Sequence, residues 1–377
     1  MSAQVIDAPA YRRALAVRDL TDAVHGPHAM QLLVRDAIEA LQRLWSCPVI
    51  VYRAPPLVPV TDNYDDLNYP ADGAARDARY TRYVAGQQLL RTQTSSMIPR
   101  ALRMIAPAGY DDVLLACPGL TYRRDAVDRL HVGEPHQLDL WRIARAPVNG
   151  HDLRQMIECV AGAVLPGNEL RIEPASHPYT VDGLEVHAGV QGAWVEILEC
   201  GLALPKLLAN SGHDPATYNG LAMGIGLDRV LMLRKGIDDI RLLRSNDPRI
   251  TVQMLDLSAY RAVSLQPAIQ RDLSIAVASE RNAEELGDRI RATLDEKTAA
   301  GLEEISIISE TPYAQLSTAA QRRLGIASHQ KNVVLRLVIR DLERTLTSHE
   351  ANELRDIVYD VLHEGSVKTW AARGPQL

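Results

Sequence analysis

Residues 220–241 read GLAMGIGLDRVLMLRKGIDDIR, with glycines at 220, 224 and 226 ahead of an Asp-Arg pair and an apolar run punctuated by basic residues. The spacing is G-x-x-x-G-x-G and no GK[ST] follows, so the stretch is neither a dinucleotide fingerprint nor a phosphate-binding P-loop. Gly224 and Gly226 let a strand come close to a ligand or to a neighbouring backbone. Asp228-Arg229 then opens a helix whose buried face is Leu227, Val230 and Leu231, with Arg229 off that face. A guanidinium held by packed neighbours offers charge-assisted donors in fixed geometry, which suits a polyphosphate. Taken alone, the pattern fits equally a surface arginine paired with an acid.

Beyond that stretch, 377 residues with 46% hydrophobic and 23% charged content predict a globular chain of two domains, one large and one an appendage. A formal charge of −6 gives no global footprint for nucleic acid, so any RNA contact has to be local. Cys47, Cys117, Cys159 and Cys200 lie far apart without a C-x-x-C pair, which signals neither a zinc site nor a disulfide framework. The N-terminal stretch carries acids and no uninterrupted apolar segment, and no run of about 18 apolar residues occurs, so a cytoplasmic protein without a membrane partner is expected. The chain contains no phenylalanine, although it has 13 tyrosines and 4 tryptophans.

The spacing of Leu32, Leu33, Ile38, Leu41 and Leu44 predicts an amphipathic helix over 28–45. LLRTQTSSMIPRAL (89–102) predicts a strand end and a helix start capped by Thr94, Ser95 or Ser96, and VLLACPGLTYRRD (113–125) reads as strand, loop, strand. Residues 251–266 carry few signals and are read as a linker. Beyond Pro267 the order is β-α-β-β-α-β, that of a ferredoxin-like module, its last strand SVKTW (366–370). Ser348 is the expected cap of the last helix, with Glu350 as its early acid and no capping box, because Ala351 stands three residues on.

About a hundred residues before the glycines, CPGLTYRRDAVDRLHVGEPHQLDLW (117–141) ends a strand at Tyr122-Arg123-Arg124-Asp125, passes His131 in a polar loop and opens the next segment at His136-Gln137. With both clusters on one chain, the sequence resembles the class II aminoacyl-tRNA synthetases, and specifically phenylalanyl-tRNA synthetase. YRRD with the later His and His-Gln is similar to that family's motif 2, and 220–241 to its motif 3. NYDDLNYPADGAARD followed by LLRTQTS, and WVEILECGLALP, add to the likeness, which runs from about residue 25 to the C-terminus. The C-terminal part resembles the tRNA-binding domain that ends the family's single-chain organellar enzymes and its bacterial β subunit.

The resemblance implies an α+β chain: a class II catalytic domain over 1–250 with an antiparallel sheet flanked by helices, the 251–266 linker, and a ferredoxin-like tRNA-binding domain over 267–377. It implies ATP and Mg2+, an amino acid and tRNA as partners, and a monomer or homodimer, the 28–45 helix serving either to dimerise or to pack within the chain. By position, Arg123 bridges the α-phosphate and the substrate carboxylate, Arg229 holds the far phosphates, and His131 approaches them. Asp125 contacts the adenosine, Gly224 and Gly226 admit the nucleotide, and Glu196 is a magnesium ligand. Residues 267–377 hold 14 Lys and Arg against 17 Asp and Glu, so tRNA phosphates have to meet one local face, with Arg322, Arg323, Lys331 and Arg336 as candidates.

The amino-acid pocket, implied to include Gln93, Ser95, Gln137, Asp139, His177, Tyr179, Glu199 and Ala222, departs from the family pattern. Phe-Pro-Phe-Thr is here His177-Pro178-Tyr179-Thr180, Thr-His-Thr-Ser carries Gln93 for His, a glycine after Glu-Ile-Leu is Glu199, and His-Gln-x-Glu-Gly has become HQLDL with Asp139 and Leu140. Pro135 stands where a phenylalanine usually stacks on adenine. Three readings are open: a phenylalanine-activating ligase made without phenylalanine, a paralogue that adenylates a more polar or non-proteinogenic amino acid for tRNA or a biosynthetic acceptor, and a non-catalytic binding protein, against which Arg123, Arg229 and Glu196 argue.

Overall fold

The structure is a computed structural model that describes residues 5–124, 128–190, 192–263 and 266–368. It divides into two units: residues 1–123, 134–243 and 251–260 form the first, and residues 124–133, 244–250 and 261–377 the second.

In the first unit the strands are β1 (Val49–Val51), β2 (Leu57–Pro59), β3 (Tyr83–Ala85), β4 (Gln88–Leu90), β5 (Asp112–Leu120), β6 (His136–Ala144), β7 (Leu170–Pro174), β8 (Thr180–Val190), β9 (Ala193–Ala203) and β10 (Asn219–Gly226). Seven build one sheet in the order β1-β5-β6-β10-β9-β8-β7, and β2, β4 and β3 form a small sheet of their own. The large sheet is antiparallel except at its edge, where β1 runs parallel to β5. β5 continues through Pro118-Gly119, so the expected break into strand, loop and strand does not occur there.

Residues 220–226 alternate as a strand, and the chain then turns into a helix. Leu221, Met223 and Ile225 are buried, on the side that the helices Ala29–Trp45, Gly150–Val164 and Leu227–Lys235 cover. The alternate positions Gly220, Ala222, Gly224 and Gly226 point to the opposite face. Leu227, Val230 and Leu231 bury as the periodicity requires. Lys235, also buried, donates its ammonium protons to the carbonyls of Asp256 (2.9 Å) and Ser258 (2.7 Å). Gly236 then ends the helix at φ +68°, a left-handed position that glycine adopts without strain.

The Ala29–Trp45 helix buries a narrower, smaller-residue face than expected: Met30, Leu33, Val34, Ala37, Ala40 and Leu41 pack inward. Leu44 is 40% exposed and Leu32 and Ile38 are only partly covered. Alanines carry the close approach to the sheet, and a count of leucines alone misplaces the stripe. Thr94, Ser95 and Ser96 do not cap the Ile98–Ile105 helix. They lie buried in the 3-10 turn Thr94–Met97, and Met97 occupies the cap position without a side-chain bond.

Among the described residues, the second unit has three strands, β11 (Ile269–Ala278), β12 (Leu302–Pro312) and β13 (Gln330–Ile339), in the antiparallel order β11-β13-β12. The helix Ala283–Thr293 follows β11, Thr318–Leu324 precedes β13 and Ser348–Leu362 follows it. Leu273, Ile275, Val277, Leu335 and Leu337 pack with Leu286, Ile290, Leu354 and Val358 as this unit's core. The expected strand over 366–370 is not a strand through Lys368, and its last two residues lie outside those described. The last helix does carry a capping box, one residue earlier than expected. Thr347 is its N-cap, its hydroxyl accepting from the Glu350 amide while the Glu350 carboxylate accepts from the Thr347 amide.

Candidate active site

Register lines up the site. Residues directly opposite one another in an antiparallel sheet share a face, and one such row crosses the large sheet as Cys117, Asp139, Gly224, Glu199, Glu185 and Glu173. The row on one side of it contains Leu115, Trp141, Ala222 and Gly201, and the row on the other contains Gly119, Gln137 and Gly226. Val113, Leu115, Trp141, Ile143 and Ala222 are packed into the core beneath the Ile98–Ile105 and Pro205–Asn210 helices. A Cβ built on Gly224 meets no atom within 4 Å, so the core stops at this row and leaves an open place in the sheet between Asp139 and Glu199.

The two carboxyl groups flanking Gly224 are held differently. Asp139 is buried; its Oδ2 accepts from the Thr94 hydroxyl at 2.6 Å and its Oδ1 from the Trp141 indole at 3.2 Å. Burial pushes its carboxyl up to about 6, against hydrogen bonds from Thr94, Ser95 and Trp141. Here the threonine expected as a helix cap is spent on a site carboxylate. Glu199 is 43% exposed, and its Oε2 stands 3.4 Å from His177 Nε2. Burial first, then the carboxylates of Glu196 and Glu185, push Glu199 up to about 7, while Arg123 pulls it down. Burial lowers His177, whose Nδ1 shares a hydrogen bond with the Thr180 hydroxyl at 3.2 Å. Burial thus disfavours the charged form of both groups, which makes the contact a polar pair rather than a strong ion pair.

Rings form the apolar end. Tyr179 lies 6.3 Å from Tyr69, 6.1 Å from Trp141 and 6.0 Å from His177, centroid to centroid. Gln93, partly buried, is held at both ends: its Oε1 accepts from the Tyr69 hydroxyl at 2.9 Å and its Nε2 donates to the Asn63 carbonyl at 3.1 Å. It sets the Tyr69 ring, so it acts on the pocket through another side chain. Gln137 accepts from the Thr94 amide at 3.2 Å, and Ser95 and Ala222 are buried. Sequence reasoning missed Tyr69, Asn63 and Trp141; the turn-rich composition around Tyr69 carried no signal of a ring packed beside Tyr179.

At the other end, Arg229 Nη1 lies 3.4 Å from both the carbonyl and the Oε2 of Glu196. Arg123 pairs by a single β-bridge with Thr81, and its carbonyl accepts from Arg82 Nη2 at 3.0 Å; Arg82 also pairs with Glu134. The Arg123 Nε is buried and has no hydrogen-bond partner among the described residues, an arrangement that suits an anionic ligand. The Asp of the Asp-Arg pair plays a structural part. Asp228 Oδ2 accepts from the His136 amide at 2.5 Å, and Oδ1 lies 3.1 Å from its Nδ1, which fastens the start of β6 to the start of the following helix. Asp125 lies outside the described residues. His131 belongs to the second unit, where its Nδ1 bonds to Asp128 at 2.7 Å.

A family model, the class II core domain (F) of tRNA synthetases, matches residues 44–254. The chain belongs to this family. Among its relatives are phenylalanine–tRNA ligase alpha subunits: that of Bacillus pumilus is 36% identical over 204 residues, covering 51% of this chain and 58% of that one. That of Prochlorococcus marinus is 37% identical over 191 residues, covering 51% and 56%, and that of Bacillus subtilis 34% over 204 residues, covering 51% and 58%. The chain thus spans little more than half the length of these synthetase subunits. Among the described residues, no helix is long and apolar enough to cross a membrane.

Proposed function

We propose that this class II synthetase-family chain is a phenylalanyl-tRNA synthetase-like ligase that activates an aromatic amino acid with ATP and passes it to tRNA. The observation that carries the reading is the cleared face of β10. Ala222 lies toward the rings, Gly224 between the carboxyl groups of Asp139 and Glu199, and Gly226 leads to Arg229, which gives one surface an apolar, a polar and a cationic end in sequence. An amino acid attacking the α-phosphate of ATP presents those chemistries in that order: a side chain, an ammonium, then a carboxylate beside phosphates.

Such a reaction needs positioning and charge neutralisation rather than a nucleophile from the protein. Arg123, whose buried Nε has no hydrogen-bond partner among the described residues, supplies donors at the α-phosphate, and Arg229 holds the remaining phosphates. Asp139 receives the α-ammonium. Asp125 is assigned to the adenosine by position in the motif. Among the described residues no group of three or more metal-ligating side chains exists; the Glu196 carboxylate fits a Mg2+ held chiefly by phosphate oxygens, where the ion would neutralise phosphate charge.

The second unit is assigned to tRNA as a ferredoxin-like module over 267–377, supported by its β11-β13-β12 order and alternating helices. Its phosphate-contacting face is narrower than the four basic residues named from the sequence. Lys331 pairs with Glu310 at 2.9 Å and Arg336 is bidentate to Asp272 at 2.8 Å, so Arg322 and Arg323, both exposed, are the better candidates.

Amino-acid-dependent exchange of pyrophosphate into ATP tests the activation step, and transfer to tRNA is read separately by charging. Arg229→Ala is expected to lower exchange by at least about a hundredfold with an unchanged circular dichroism melt. Undiminished exchange in that variant would remove Arg229 from the site.

A further inference from the structure

Resting on the reading of this face as an amino-acid-activating site, we infer that Glu199, seated against His177, recognises a second hydrogen-bond donor on the substrate, and that the amino acid is an aromatic one bearing a hydroxyl or amino group on its side chain. Four observations converge. The place over Gly224 is open and has a carboxyl group on either side, both on one row of the sheet. An α-amino acid brings one ammonium, and Asp139 is the carboxylate built to take it: buried and oriented by Thr94 and Trp141. Glu199, 43% exposed and beside the His177 imidazole, then receives no donor from an unsubstituted phenyl ring, and a ring that takes it from water without offering a donor in return weakens binding. Finally, His177 and Tyr179 stand as stacked rings 6.0 Å apart with the imidazole Nε2 turned to Glu199, so the wall that meets the substrate ring ends in a polar pair.

The neighbouring row keeps the ligand aromatic in shape. Ala222, buried in the core with Trp141 and Tyr179, lies between Trp141 and Gly201, and the Thr180 side chain covers Gly201, where a Cβ would sit 2.7 Å from its own, so on this side the site ends at packed rings. Sites built to pair a substrate hydroxyl or amine reject the analogue that lacks it far more strongly than apolar pockets reject an added group.

The test is exchange of pyrophosphate into ATP with phenylalanine, tyrosine, ortho- and meta-hydroxyphenylalanine and the ring-amino phenylalanines, in the native chain, Glu199→Gly and Glu199→Gln. The expected result is a preference of at least about tenfold in kcat/KM for one of the substituted amino acids over phenylalanine. Glu199→Gly collapses that preference, and Glu199→Gln, which keeps an acceptor, restores part of it. Phenylalanine as the best substrate of the native chain, or an unchanged ratio in Glu199→Gly, overturns the inference and leaves the activation reading standing. Absence of exchange with every amino acid overturns the activation reading; calorimetric binding of the same panel then decides the inference alone, in its favour if the substituted ligand binds tighter only when Glu199 is present, and against it if phenylalanine binds as well.

Discussion

The two sheets of this chain treat charge in opposite ways. On the second unit's sheet, charged residues facing one another across strands are of opposite sign: Asp272 lies opposite Arg336 and is bonded to it through both oxygens, and Glu310 reaches Lys331. On the first unit's sheet, one row carries Asp139, Glu199, Glu185 and Glu173, with a bare glycine among them. Like charges opposite one another are unfavourable in a sheet, and the Glu199 carboxyl, raised by burial first and then by Glu196 and Glu185, expresses part of that cost, whereas Asp139 is raised by burial. On the proposed reading, a substrate ammonium completes that row. The paired face needs no completion, which is why charge content alone says so little about where a partner binds.

Filling the gap is the severest test of this contrast. Gly224→Leu puts a side chain where a Cβ meets nothing within 4 Å, so the fold should keep its melting midpoint while amino-acid-dependent exchange falls on the order of a hundredfold, chiefly through KM. Gly201→Ala is the control on the same face. Its Cβ would press on Thr180 at 2.7 Å, and it should cost about 1–3 kcal/mol of stability by chemical denaturation. If Gly224→Leu proves destabilising and Gly201→Ala neutral, the open place over Gly224 is misassigned.

Acidity probes the same row. Asp139 and Glu199 sit above the ordinary carboxylate range in the folded protein, at about 6 and about 7, so across that window the folded chain holds more protons than the unfolded one and stability falls as pH rises. For Asp139, raised from 3.8 to about 6, the penalty at alkaline pH is about 3 kcal/mol; for the half-exposed Glu199 water screening makes it smaller. Melting followed from pH 8 to pH 5 should therefore rise, and Asp139→Asn should flatten most of the rise. Amino-acid binding should move the other way, weakening as the carboxylates protonate. A melting profile indifferent to pH in the native chain would count against the buried placement of Asp139.

The paired sheet should respond least. Asp272→Ala and Arg336→Ala, singly or together, should leave the melting midpoint within experimental scatter, because an exposed ion pair contributes little. A large loss would mean that the second unit depends on its surface pairs as the first depends on its row.

Much of this was legible in the residues. The alternation of 220–226 and the helical period after it follow from local steric rules, and so do the buried face of the Leu227–Lys235 helix and its glycine stop. Among the polar residues, what failed did so for one kind of reason. Thr94 and Ser95 have the chemistry of helix caps, yet Thr94 bonds Asp139, 45 residues away in sequence. Gln93 has the chemistry of a substrate contact and instead sets Tyr69. Ser348 can cap a helix as readily as its neighbour, but Thr347 holds the cap and closes the box with Glu350. Each error concerns a polar side chain with more than one available partner.

Period, spacing and residue type were enough to establish the strand-glycine-helix unit and the placement of Arg229 off its apolar face, while the resemblance of the motifs pointed to the family to which residues 44–254 belong and set the pattern from which the pocket residues depart. It took the folded chain to decide that Asp139 and Glu199 flank the same glycine, that His177 faces Glu199, and that Arg123 keeps a buried nitrogen without a partner among the described residues. The placement of the two carboxyl groups is set by the register between strands distant in the chain, and a shift of one residue would turn them to the other face of the sheet.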